Sequence, residues 1–137
     1  MIVRRKTRKI LVGNVGVGGD SQVSVQSMTN TDTRDVTQTV DQIQRLTAAG
    51  CDIIRVAVLD LEAAASIRKI QDEIAIPLIG GIHFDYRLAV AAMENGADGI
   101  RINPGNLGGE EKIARVVDAA KHHGVPIRVG VNSGSIE

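Results

Sequence analysis

The sequence has little cysteine and almost no aromatic residues. Of its 137 residues one is cysteine, one is phenylalanine, one is tyrosine and none is tryptophan. The single cysteine, Cys51, excludes an internal disulfide and any cluster held by several thiolates of this chain. With so few aromatic rings, a folded core has to consist of aliphatic side chains and alanine. Cys51 stands where a strand is predicted to start, and we expect it to be a small buried core residue.

Long apolar runs and an excess of charge are also missing. The formal net charge is zero, no stretch approaches the roughly 20 apolar residues of a spanning helix, and the basic N-terminus lacks the apolar centre of a signal peptide. We interpret the lysines and arginines between positions 4 and 9 as a solvated charge run. A cytoplasmic protein that binds neither nucleic acid nor membranes is therefore expected.

What the sequence does contain is a repeat of a strand with a central arginine. The three copies are Ile54-Arg55-Val56, Ile100-Arg101-Ile102 and Ile127-Arg128-Val129. Each copy follows a glycine of the kind that ends helices. Apolar residues at helical spacing fill the intervals between the strands. The sequence therefore predicts five strands and four helices in alternation. Glycine-punctuated short strands in residues 9–25 predict a hairpin before them.

Strict alternation of strands and helices implies a parallel sheet, either open and doubly wound or closed as a barrel. An open sheet would bury the arginines against a helix, whereas a barrel directs them into its lumen. We therefore predict an α/β fold, a partial TIM-type (β/α) barrel with an N-terminal hairpin in residues 1–21 and β/α repeats in residues 22–137. A complete barrel takes roughly 250 residues, so we expect the chain to be the first part of a longer protein.

Strand alternation predicts which side chains enter the lumen. One polar residue from each strand is expected to point at a common centre there, with the arginines at one level, while the aliphatic residues of the other parity meet the helices. The five lumen residues are Gln26, Arg55, His83, Arg101 and Arg128. Asn103 and Asn132 lie further along two of the same stripes, and amides suit ligand hydroxyls.

No acidic residue shares the predicted lumen stripes, because Asp52 and Asp98 have the other parity. A buried guanidinium without a partner is costly, and arginine matches phosphate oxygens two at a time. The pattern predicts a phosphorylated or diphosphorylated small molecule. Three alternatives stay open: acids from elsewhere could pair the arginines, His83 could be an ordinary core histidine, and the loop 104–109 could either bind an anion or form a plain turn.

Four ordered motifs carry a family resemblance. They are Val25-Gln26-Ser27-Met28-Thr29-Asn30-Thr31, Ile82-His83-Phe84-Asp85-Tyr86-Arg87, Arg101-Ile102-Asn103-Pro104-Gly105-Asn106 and Gly130-Val131-Asn132-Ser133-Gly134-Ser135. Together they resemble the N-terminal barrel of the 4-hydroxy-3-methylbut-2-enyl diphosphate synthase family, over essentially the whole chain.

The resemblance implies an iron–sulfur oxidoreductase of the non-mevalonate isoprenoid pathway, which opens and dehydroxylates 2-C-methyl-D-erythritol 2,4-cyclodiphosphate. It implies a [4Fe-4S] cluster in a C-terminal domain, ferredoxin or flavodoxin as electron donor, and a homodimer of the full-length protein. Carried over by motif, Arg55, Arg101, Arg128 and Asn132 would clamp phosphate. His83, Asn103 and Gln26 would support them.

The chain departs from the family in two ways. The family usually has aspartate where Gly81 stands, and the cysteines of the cluster are not in this chain. We therefore expect this chain to bind no cofactor, to contain no catalytic residue or metal ligand, and to be inactive alone. The alternatives are a transferase barrel like that of dihydropteroate synthase, which the motifs at Gln26 and Asn103 disfavour, and a non-catalytic phosphate-binding fragment.

Overall fold

The secondary structure alternates as the sequence predicts. The structure, a computed structural model, describes residue 3 and residues 5–132, so Arg4 and the end of the fourth motif lie outside the described residues. The elements are β1 (Ile10–Val12), β2 (Val15–Val17), β3 (Gln26–Met28), α1 (Val36–Ala48), β4 (Ile53–Val58), α2 (Leu61–Gln71), β5 (Leu78–Ile82), α3 (Tyr86–Glu94), β6 (Gly99–Ile102), α4 (Glu110–His123) and β7 (Ile127–Val129). A 3-10 helix, Pro104–Asn106, precedes α4.

The sheet topology is that of a barrel. Strands β3 to β7 are parallel and lie side by side in chain order, with β3 and β7 at the edges. A doubly wound sheet would reverse its strand order at a switch point, and this sheet does not. The predicted partial barrel of five parallel strands and four helices, preceded by an antiparallel hairpin, is confirmed. The predicted division of the chain at residue 21 stays a prediction.

Local signals set the ends of the helices. The N-caps of α1, α2 and α3 are Asp35, Asp60 and Asp85, and each carboxylate accepts a bond from a backbone N–H in the first turn. Helix α4 ends at Gly124, whose φ of +67° is a left-handed conformation that favours glycine. Within residues 3 and 5–132, every helix is too short or too polar to cross a bilayer.

The outer face of the sheet forms the main core with the helices. Ile54, Val56 and Val58 of β4 are fully buried there, Cys51 is 7% exposed, and no aromatic residue is among the buried hydrophobic side chains of the described chain. The predicted aliphatic core is thus confirmed. The prediction that outer aliphatic residues meet helices is correct for Ile127, which packs against the core, and wrong for Val129, which is 63% exposed on edge strand β7.

The N-terminal hairpin closes the end of the barrel at which the strands begin. Its Val12 packs on Ile53 and Ile79, which have the lumen parity and are almost completely buried. Burying each such side chain stabilises the fold by about 1.5–3 kcal/mol. The two-residue turn has Gly13 first, at φ +56°, as tight hairpins require. An apolar base leaves the carboxyl ends of the strands as the open side of the lumen.

Two aspartates before strands bind the neighbouring strand in the same way. Asp52 accepts a bond from the Val25 N–H at 2.8 Å, and Asp98 accepts one from the Leu78 N–H at 2.9 Å. Asp98 also accepts a bond from the Gln71 side chain at 2.9 Å. Parity places these carboxylates outside the lumen stripes. Their hydrogen bonds join neighbouring strands at the closed end of the barrel.

Replacing Asp98 tests this role. Asp98→Ala should lower the free energy of unfolding by about 1–3 kcal/mol, because the partly buried Leu78 N–H loses its acceptor. Urea denaturation measures the loss. Asp118→Ala, on the exposed side of α4, is the matched control and should change stability by less than about 0.5 kcal/mol. Equal losses in the two variants would contradict the assigned role.

Candidate functional site

The three repeat arginines lie on the lumen face of the sheet, on strands β4, β6 and β7. Arg101 of β6 pairs directly with Arg128 of β7. In the same row β5 contributes Gly81 and β4 contributes Ala57, whereas Arg55 lies two residues nearer the start of β4. Because the strands of a barrel are tilted and staggered in register, residues paired across neighbouring strands do not lie at one height along the barrel axis. The prediction that the three arginines share one level therefore stays a prediction.

The curvature of the sheet brings opposite edges together over the lumen. Arg128 on edge strand β7 donates a hydrogen bond from Nη1 to Oε1 of Gln26 on the other edge strand, β3. In a flat sheet these strands would be roughly 19 Å apart, four spacings of about 4.8 Å. The bond therefore requires a strongly curled sheet. On the same face Arg55 donates from Nη2 to the sulfur of Met28 at 3.1 Å, a weak acceptor.

The electrostatics of this arginine cluster, defined as Arg55, Arg101 and Arg128, are unfavourable in the absence of an anion. Burial lowers the pKa of Arg55, and the positive charges of Arg101 and Arg128 lower it further. Arginine nevertheless stays protonated in proteins. Within residues 3 and 5–132, every ion pair lies elsewhere and none of the three guanidinium groups contacts a carboxylate. Among the described residues, the lumen thus holds three guanidinium groups that no carboxylate neutralises.

Small residues leave room beside these charges. A Cβ atom added to Gly81 would lie 3.5 Å from Cδ of Arg55 and 3.4 Å from the Val56 carbonyl oxygen, which is ordinary contact. Position 81 therefore has room for a Cβ atom next to Arg55, at the place where the family resemblance leads one to expect an aspartate. Glycine leaves both the space and the positive charge available to a ligand.

The remaining predicted site residues surround the cluster at the open end. His83 follows β5, is exposed, and has its ring centre 6.4 Å from that of Phe84, so the alternative of a core histidine is wrong. Asn103 is 3% exposed, and its side-chain oxygen accepts a bond from the Gly105 N–H at 3.2 Å, which caps the 3-10 helix of the 104–109 loop. Asn132 is exposed beyond β7. Contact of these residues, or of the loop, with a ligand stays a prediction.

Sequence reasoning missed a second set of arginines at the open end. Arg34 forms a two-pronged pair with Asp32 and also contacts Asp60 at 3.3 Å. Arg87 and Asp85 repeat the two-pronged geometry with the same distances of 3.0 and 2.8 Å. Arg34 holds the pKa of Asp32 down at about 2. The signal was in the sequence, because both pairs have the spacing Asp-x-Arg and begin a few residues after the end of a strand.

The described residues do not fit an iron–sulfur cluster. Cys51 is buried in the core and its thiol donates to the Ile53 carbonyl at 3.1 Å. Within residues 3 and 5–132, no group of three or more His, Cys, Asp or Glu side chains could hold a metal ion. No chemical step is therefore assigned to a cluster held by this part of the chain.

The lowered pKa of Asp32 beside Arg34 predicts how the stability of the protein depends on pH. The depressed pKa means that this pair contributes stability that is fully present above the ordinary aspartate value of 3.8 and is lost as the pH falls through about 2. In Arg34→Gln, the pKa of Asp32, followed by its carboxyl ¹³C shift, should rise toward 3.8 without reaching it, because the backbone N–H of residue 34 still donates to the carboxylate. Arg87→Gln is the control, which should raise the pKa of Asp85 and leave that of Asp32 unchanged. An unaltered Asp32 titration in Arg34→Gln would disprove the assignment.

The repulsion within the arginine cluster predicts a stabilising substitution. Arg55→Met should raise the free energy of unfolding of the ligand-free chain by about 1 kcal/mol, because two like-charge interactions and the burial of a charge are removed. The gain should shrink in 1 M salt, where the Debye length is about 3 Å. Urea denaturation at both salt concentrations measures it. Arg115→Met is the control, because Arg115 lies on the exposed side of α4 and pairs with Glu111, and it should not raise the free energy of unfolding. Destabilisation by Arg55→Met at low salt would contradict the repulsion.

Comparison with curated proteins finds relatives of similar sequence. The chain is 72% identical over 137 residues to "4-hydroxy-3-methylbut-2-en-1-yl diphosphate synthase (flavodoxin)" of Desulfotalea psychrophila, covering 100% of this chain and 38% of the relative. It is 62% identical over 135 residues to the protein of the same name from Caldanaerobacter subterraneus, covering 98% of this chain and again 38% of the relative. The chain thus spans well under half the length of these curated relatives.

A solved structure and a family model add the fold and the family. A mandelate oxidase variant with an FMN adduct aligns with a TM-score of 0.58 over 82% of this chain and 45% of its own, at 19% identity, which is evidence for the shared fold alone. The family model described as the GcpE TIM-barrel domain matches residues 7–137. The chain therefore belongs to the GcpE TIM-barrel domain family.

Proposed function

We propose that this chain is the substrate-binding barrel part of a 4-hydroxy-3-methylbut-2-enyl diphosphate synthase, an iron–sulfur oxidoreductase of isoprenoid biosynthesis. In this proposal the arginine cluster holds the diphosphate of 2-C-methyl-D-erythritol 2,4-cyclodiphosphate. The observation that carries it is the convergence of three lumen guanidinium groups that have no carboxylate partner among the described residues. The family and the printed names of the relatives support the same substrate class.

The energetics favour a doubly charged ligand. A charge-assisted hydrogen bond nets about 1.5–3 kcal/mol, so three guanidinium contacts could supply about 4.5–9 kcal/mol before ordering costs. Micromolar binding corresponds to about 8.2 kcal/mol. A ligand with two phosphoryl groups can contact all three arginines at once, and it also relieves their mutual repulsion. A neutral or singly charged molecule would leave part of that repulsion in place.

The architecture supports distinct roles for the side chains. Arg55, Arg101 and Arg128 bind phosphate oxygens, and Gln26 orients Arg128 through the bond between the two edge strands. Asn132 is exposed at the open end, where it joins the arginines in holding phosphate, and His83, also exposed there, supports them. Because the hairpin closes the other end with apolar residues, the substrate enters from the carboxyl ends of the strands.

The reduction itself belongs to parts of the protein beyond these residues. The relatives carry "flavodoxin" in their names, which supports reduced flavodoxin as the electron donor, with ferredoxin as the other candidate. The [4Fe-4S] cluster, the homodimer and the cytoplasmic location that the resemblance implies belong to the same proposal. In it, this barrel supplies the binding and orientation of the diphosphate.

Pyrophosphate binding measured by calorimetry at low salt tests the proposal. The chain should bind inorganic pyrophosphate, and Arg55→Ala, Arg101→Ala and Arg128→Ala should each weaken binding about tenfold or more, because each removes a charge-assisted contact. Arg115→Ala removes the same charge from the exposed side of α4 and should leave the affinity unchanged. Binding should also weaken as the salt concentration rises.

Two results would count against the proposal. Absence of pyrophosphate binding, or equal weakening by Arg115→Ala, would show that the cluster is not an anion site. Binding of a pterin in the same calorimeter would instead favour the transferase alternative.

A further inference from the structure

The guanidinium of Arg101 lies directly against the backbone of Gly130, just beyond the end of β7. A Cβ atom added to Gly130 would lie 2.5 Å from Nη2, 2.9 Å from Cζ and 2.9 Å from Nε of Arg101. Real Cβ atoms do not approach other heavy atoms so closely, so any side chain at position 130 excludes the present position of the guanidinium. The contact lies on the lumen face, two residues beyond Arg128.

The backbone conformation does not explain the glycine. Gly130 is not among the glycines with positive φ, and its N–H donates to the Ile102 carbonyl at 2.9 Å, which continues the pairing of β6 with β7. Its φ lies outside the range that favours glycine, so the backbone itself does not exclude alanine. The close approach of Arg101 is therefore what requires glycine at this position as long as the guanidinium keeps its place.

The position of Arg101 over Gly130 also reduces the repulsion between two arginines of the site. Arg101 and Arg128 are directly paired across neighbouring strands, so their charges would repel strongly if both side chains extended in the same direction. Arg128 reaches across the lumen to Gln26, whereas Arg101 turns toward the carboxyl end of β7 and lies over Gly130. The glycine thus provides the space that separates two like charges along the lumen.

We infer that Gly130 is a positioning residue that holds the Arg101 guanidinium where it binds a phosphoryl group; the inference rests on the proposed function of the arginine cluster. A methyl group at position 130 meets the movable end of a long side chain and not the backbone. Arg101 can therefore rotate away at little cost to the fold. The effect of the substitution should appear in anion binding and not in stability.

A double-mutant cycle tests the inference, with calorimetric binding of inorganic pyrophosphate as the readout. Gly130→Ala should weaken binding about tenfold, the order expected for one misplaced charge-assisted contact. The same substitution in an Arg101→Ala background should cause no further loss, because its effect acts through Arg101. The melting temperature of Gly130→Ala should stay within about 4 °C of the unsubstituted chain. Val129→Ala, on the opposite face of the same strand, is the matched control and should leave the affinity unchanged.

The outcomes separate the two proposals. Undiminished affinity in Gly130→Ala, or an equal loss in the Arg101→Ala background, overturns the positioning role and leaves the proposed function standing. Absence of pyrophosphate binding by the unsubstituted chain overturns the proposed function and this inference with it. If Gly130→Ala does not melt cooperatively, the Arg101→Ala, Gly130→Ala double variant should recover cooperative melting, since the clashing side chain is gone; failure to recover overturns the inference.

Discussion

Burial of one face of the parallel sheet against four helices is the constraint on which the rest of the structure depends. Ile54 and Val56 are fully buried on that face, so strand alternation leaves Arg55 between them no direction except the lumen. The same holds for Arg101 between Ile100 and Ile102. Because the sheet curls around its inner face, side chains on both edge strands meet, as the bond between Gln26 and Arg128 shows. Helix packing thereby concentrates positive charge without any direct attraction among the arginines.

The arginines of this chain fall into two groups with opposite electrostatic situations. Arg34 and Arg87 at the open end are each held by a carboxylate two residues earlier in the chain, and the pKa values of both arginines are raised by those partners. Arg55 in the lumen has its pKa lowered by burial and by neighbouring arginines. A structural arginine is neutralised where it stands, whereas the lumen arginines are held close together in a state that an anion would stabilise. That contrast is what supports the proposal that the arginine cluster is a binding site.

Much of the fold could be predicted because its signals are local. The glycines after α1, α3 and α4 and the aliphatic parity of β4 and β6 depend on residues a few positions apart, and both are as predicted. The exposure of Val129 could not be predicted in this way, since parity says which face a residue lies on and not whether another element covers it. The Asp-x-Arg pairs could have been found from their spacing.

The sequence by itself determined that arginines alternate with aliphatic residues, that no acid shares their stripe, and therefore that the lumen is positive, because face and charge follow from the chain's own order. Only the tertiary structure decided that Arg55 lies two residues below the row of Arg101 and Arg128. The same is true of the Gln26–Arg128 bond and of the guanidinium of Arg101 over Gly130. Register, curvature and close approach arise from packing between segments far apart in the chain, and no local pattern encodes those distances.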